Sequence, residues 1–66
     1  MLRLASLRRA DLHFADLTDA RLHAADMSKA NLVNADLSHA ELRDAILSRT
    51  NLEGATIAEE QLAQVQ

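Results

Sequence analysis

The sequence predicts an all-β solenoid, a coil of short extended segments whose neighbouring turns are joined by a parallel ladder. Three observations point there: apolar residues return every five positions without a slip, two of the five phases are apolar, and the apolar residues are small. Of the 66 residues, 13 are Ala and 12 are Leu, while Phe14 is the one aromatic. A uniform aliphatic lining therefore replaces the mixed, ring-containing core of an ordinary globular domain. With no Cys, neither disulfides nor thiolate metal sites can stabilise so short a domain, and regularity or a partner must do so instead.

The repeat begins at Leu2 and runs through Leu7, Leu12, Leu17, Leu22, Met27, Leu32, Leu37, Leu42, Leu47, Leu52 and Ile57. Two residues before each centre stands Ala, from Ala5 to Ala55, with Thr50 the one interruption. The phase between them is mostly polar, and the two after the centre are mostly polar or charged. A helix cannot use this pattern, because a five-residue step turns each Leu by about 140° and scatters the set around the axis. A straight strand cannot use it either, since an odd step sends successive Leu to opposite faces. Each repeat must therefore contain a corner that brings the next Ala and Leu back inward. Corners of about 90° would give four sides and twenty residues per coil, with coils about 4.8 Å apart; the period alone does not choose four sides over three.

The runs ADLHF, ADLTD, ADMSK, ANLVN and ADLSH resemble the pentapeptide repeat family over roughly residues 2–57, about eleven repeats. The resemblance implies a right-handed quadrilateral parallel β-helix of about three coils, with the central Leu and the preceding Ala inside, and a bacterial source. It implies little about activity, because a fold does not settle function.

After the repeats, Thr56-Ile57-Ala58-Glu59 matches a capping box, so a helix is expected to start near Ile57 and to form a C-terminal cap over residues 58–66. Ala58, Leu62 and Val65 would form its apolar stripe over the last coil. At the other end, Met1 to Leu4 begin inside the repeat without a capping element, which leads to the expectation of a fragment, a partner, or a homodimer through a coil end or the C-terminal helix.

If twenty residues make one coil, residues twenty apart stack, and outward columns can be read from the sequence. Arg9, Lys29 and Arg49, with Arg8 adjoining, form a basic column, and Arg3, His23 and Arg43 form another; together they are the candidate surface for a charged partner. Across the coil lies an acidic side of Asp16, Asp19 and Asp36, reaching Glu59 if the ladder extends so far, with His39 between Asp19 and Glu59. Asp11, Asn31 and Asn51 form a third column whose side chains could hydrogen-bond along the ladder. Leu4, Phe14, Val33 and Ile46 should point outward. His13, His23 and His39 fall on different sides and do not converge on a metal.

Neither a catalytic triad nor a phosphate loop emerges, so the chain is expected to be a non-enzymatic structural or protein-interaction module without cofactors. Its net charge of −3 announces neither nucleic acid nor membrane as a partner. No apolar run approaches the roughly 18 residues of a membrane span, and no export signal is visible, so a cytoplasmic location is expected. The alternative implied by the resemblance is a DNA mimic that inhibits or protects a type II topoisomerase such as DNA gyrase. Duplex DNA carries about one negative charge per 1.7 Å, so three coils, about 14 Å, would need roughly eight net negative charges. The chain supplies three, and two basic columns interrupt its acidic surface.

Overall fold

The computed structural model of the chain describes residues 6–66. Its organising element is a four-residue turn repeated at each corner. The amide of the Ala phase donates to the carbonyl of the preceding Leu, as in Ala15 to Leu12, Ala25 to Leu22 and Ala35 to Leu32, each at 3.0 Å. The second residue after Leu takes a positive φ, between 59° and 63° from Arg9 to Arg49 and 71° at Gly54. An i to i+3 hydrogen bond with positive φ at the third residue is the pattern of a type II turn. Glycine is the usual occupant of that place, yet nine of these ten corners carry a side chain. At Gly54 a Cβ would also run into Oδ1 of Asn34, one coil earlier.

With two residues spent at the corner, only three are left to form each side. The sides are accordingly single bridges, all parallel and all joining residues twenty apart: Ser6 to Asp26 to Ile46, Asp11 to Asn31 to Asn51, Asp16 to Asp36 to Thr56, and Arg21 to Glu41. Four columns of bridges make a four-cornered β-helix of twenty residues per coil. The Leu amide donates forward to the next coil (Leu12 to Asn31 O, 2.8 Å), the corner amide does the same (Phe14 to Val33 O, 2.9 Å), and the bridging residue donates back (Asn31 to Ala10 O, 2.8 Å). In this way the ladder satisfies backbone groups that a filled interior would otherwise leave unpaired.

Within the ladder, one full coil is dry. Leu22, Met27, Leu32, Leu37 and Leu42 are completely buried, with Ala25, Ala30, Ala35, Ala40 and Ala45 between them. Above and below, Leu7, Leu12, Leu17, Leu47, Leu52 and Ile57 are half-buried and pack against this centre. Thr50 fits the Ala phase because its hydroxyl donates to the Met27 carbonyl at 2.8 Å, so that the polar atom it brings to the lining is paired.

The tail differs from the sequence expectation. The only helix of the described residues, α1, spans Glu59–Leu62 and has Ala58 as its N-cap. Thr56 cannot cap a helix beginning near Ile57, because its backbone is still in the ladder: its amide donates to Ala35 O and its carbonyl accepts from Leu37, both at 2.9 Å. The cap comes from Gln61, whose Oε1 accepts from the Ala58 amide at 2.8 Å. The expected stripe is also broken up, since Val65 packs on the core while Ala58 and Leu62 are exposed. After α1 the chain rejoins the ladder, with Gln64 O accepting from Asp44 and the Gln66 amide donating to Ala45 O, each at 2.8 Å. Residues 58–66 are therefore a one-turn detour rather than a continuous capping helix. Among the described residues, no helix is long and apolar enough to cross a membrane.

Candidate functional site

Each corner pushes its positive-φ residue outward, so the outer surface is organised by columns of corner residues. Arg9, Lys29 and Arg49 occupy one such column; the Arg9 amide donates to Ser28 O and the Lys29 amide to Ser48 O, both at 2.9 Å, which fixes them one coil apart. All three side chains are exposed, and none enters an ion pair among the described residues. Arg8, on the adjoining side, lies 3.8 Å from Asp26. The sequence-derived basic column is therefore a physical stripe along the axis.

The second basic column is smaller within the described residues. Arg3 lies outside them, as does Leu4. His23 and Arg43 stack beside Arg21 and Glu41 around a shallow depression of about 400 Å³. This surface mixes charges, because Glu41 is the backbone ladder neighbour of Arg21.

On the side opposite the basic stripe, Asp16 and Asp36 are bridged neighbours, and Asp19 stacks with His39, its amide donating a hydrogen bond to Ser38 O at 3.0 Å. Glu59 does not extend this column, because the chain leaves the ladder at Ala58 to form α1. Glu60, not Glu59, joins His39 in lining an open groove of about 530 Å³ between the tail and this side.

A feature the sequence reading missed runs through these columns: the polar residue before Leu caps the residue after it. Asp16 Oδ1 accepts from the Thr18 amide (3.0 Å) and hydroxyl (2.6 Å). Asp26 does the same with Ser28, at 3.0 and 2.6 Å, and Asp36 with Ser38, at 2.9 and 2.5 Å. Donation to the charged form holds each carboxyl below the usual range, with the hydroxyl the larger cause. In Asp11 the same lowering comes from His13, whose Nδ1 lies 2.6 Å away. The readable signal was Asp-Leu-Thr, Asp-Met-Ser and Asp-Leu-Ser at ten-residue intervals.

The Asn column is only partly a side-chain ladder. Asn31 Nδ2 reaches Asp11 Oδ1 at 3.3 Å, but the Oδ1 atoms of Asn31 and Asn51 cap Val33 and Glu53 on their own sides, at 3.0 and 3.1 Å. Of the apolar residues assigned to the outside, Phe14 is 71% exposed with His13 edge-on at 5.7 Å. Val33 and Ile46 are half-buried, Ile46 within the bridge column of Ser6 and Asp26.

Comparison with curated proteins found no match for the chain. The family model described as pentapeptide repeats matches residues 2–23 and 20–57, in eight copies. With the five-residue period, the twenty-residue ladder and this match across most of its length, the chain belongs to the pentapeptide repeat family.

Proposed function

We propose that the chain is a non-catalytic structural and protein-interaction module, a right-handed quadrilateral β-helix acting in the cytoplasm and presenting its differently charged flat sides and the corners between them to a protein partner. The observation that carries this reading is the stripe of Arg9, Lys29 and Arg49, three exposed cations stacked one coil apart with no acidic partner among the described residues. Like charges at this spacing oppose folding modestly, so a stripe of them is a cost that an anionic partner would offset. The interior, filled by Leu, Met27 and Ala in the central coil, leaves recognition to the outer walls.

The test is affinity capture with wild-type chain and with the Arg9→Glu, Arg49→Glu double variant as parallel baits. A protein retained by the first, lost from the second and released by moderate salt is the expected result. Identical retention by both baits would dismiss the basic stripe as a contact surface. The mimic alternative makes a separate demand, inhibition or protection of DNA gyrase in a supercoiling assay; on the present reading the enzyme is indifferent to the chain.

A further inference from the structure

Resting on the reading of the basic stripe as a contact surface, we infer that its partner element is an acidic α-helix lying parallel to the solenoid axis, with carboxylates at positions i, i+3 and i+7. The ladder sets the spacing of the cations. Arg9, Lys29 and Arg49 are held on successive coils by hydrogen bonds from the Arg9 and Lys29 amides to Ser28 O and Ser48 O, so their backbones are about 4.8 Å apart and the stripe spans about 9.6 Å. On a helix, i to i+7 spans about 10.5 Å in steps of about 4.5 and 6.0 Å. The difference of about 1 Å over the stripe is within the reach of Arg and Lys side chains. An extended peptide repeats its same-face side chains about every 6.6 Å, so three of them span about 13 Å and overrun the stripe.

The stripe's surroundings agree with this partner. The carboxylates flanking the corner are already engaged, Asp26 by Ser28 at 2.6 Å and Arg8 at 3.8 Å, Asp11 by His13 at 2.6 Å and Asn31 at 3.3 Å. They neither neutralise the three cations nor present two free anions to an approaching helix. A protruding corner, unlike a flat wall, also touches a rod along one line, which suits a single carboxylate stripe.

The experiment measures fluorescence anisotropy of labelled, terminally blocked synthetic peptides against the whole chain. One peptide carries Glu at i, i+3 and i+7 on an Ala and Gln helix; a second has the same composition with its Glu scattered round the helix; a third is a strand-forming peptide with Glu at alternate positions; a short DNA duplex is the fourth probe. The striped helix should bind about tenfold more tightly than the scattered one, weaken as salt rises, and lose that advantage with the Arg9→Gln, Lys29→Gln, Arg49→Gln variant. Arg43→Gln, on another side, should leave it intact. Removing mutual repulsion leaves the triple variant at least as stable as wild type, and a thermal melt verifies that it folds. Equal binding of striped and scattered helices, or preference for the extended peptide or the duplex, overturns the inference. If either occurs while Arg9→Glu, Arg49→Glu still abolishes capture of a protein, the stripe remains a contact surface and only the helical partner is wrong; if capture is also unchanged, both readings fall.

Discussion

At the scale of single residues, the corners set the conformational problem and the capped aspartates the electrostatic one. A left-handed conformation costs a Cβ-bearing residue about 1–2 kcal/mol, less for Asn, and the ladder imposes it on Arg9, Phe14, Asp19, Ala24, Lys29, Asn34, His39, Asp44 and Arg49. Ala24, at φ 60°, brings no side-chain compensation. Ala24→Asn should therefore stabilise the chain by about 0.5–1 kcal/mol, seen as a higher midpoint in thermal denaturation; a lower midpoint would show that the corner is not strained. The aspartates act through pH. Because Asp16, Asp26 and Asp36 titrate below their ordinary 3.8 when folded, the stability they contribute is fully present well above that value. It declines as pH falls through 3.8, where the unfolded chain takes up protons first, and is gone below the lowered folded values. Asn at all three positions keeps an acceptor but does not titrate. Urea denaturation from pH 7 to pH 2 should show a shallower acid decline for that triple variant than for wild type, and parallel curves would remove the caps from the account.

Among the elements, the sides were legible in the sequence and the tail was not, for a definite reason. Two residues of each repeat point inward wherever the corner falls, so Leu and Ala report the lining regardless of corner geometry, and the twenty-residue columns follow once four corners close a coil. The corner conformation itself was hidden, because nine of the ten corners among the described residues lack the Gly that usually announces it. The Thr56 to Glu59 motif is a purely local signal, whereas Thr56 is held by ladder bonds to Ala35 and Leu37, and tertiary pairing outweighs a helix start worth about 1 kcal/mol. What anchors the tail is Gln61, whose Nε2 donates to Leu37 O at 2.8 Å and Ala40 O at 2.9 Å while its Oε1 caps Ala58. Gln61→Ala should cost about 1–2 kcal/mol and strip hydrogen-exchange protection from the Asp44 and Gln66 amides, which the tail's return to the ladder protects. Leu62→Ala, at a side chain 41% exposed, should change stability by less than about 0.5 kcal/mol. The reverse order would restore the apolar stripe as the anchor.

For the whole molecule, the consequence of a short solenoid is that stability is concentrated in the middle. Each coil touches only its neighbours, as in longer repeat arrays, and with about three coils only the central one has neighbours on both faces. The burial pattern records this directly: Leu22 to Leu42 are wholly enclosed, whereas Leu12 and Leu52, in the same inward phase, remain half-buried. Chemically identical truncations should therefore differ by position along the axis. Leu32→Ala removes side-chain atoms from a site walled by coils above and below, and should cost about 3 kcal/mol, since a rigid ladder cannot collapse into the space. Leu12→Ala, stacked directly before it, should cost about half as much, because water already reaches that side chain. The same asymmetry predicts that amides bonded within the central coil exchange only on global unfolding, while those at the ends exchange through local opening. Equilibrium denaturation of the two variants, read with native-state hydrogen exchange, checks both statements at once. Equal losses at Leu32 and Leu12 would mean that the half-buried end is covered in solution, and a lower loss for Leu12→Ala at low protein concentration would identify self-association as the cover.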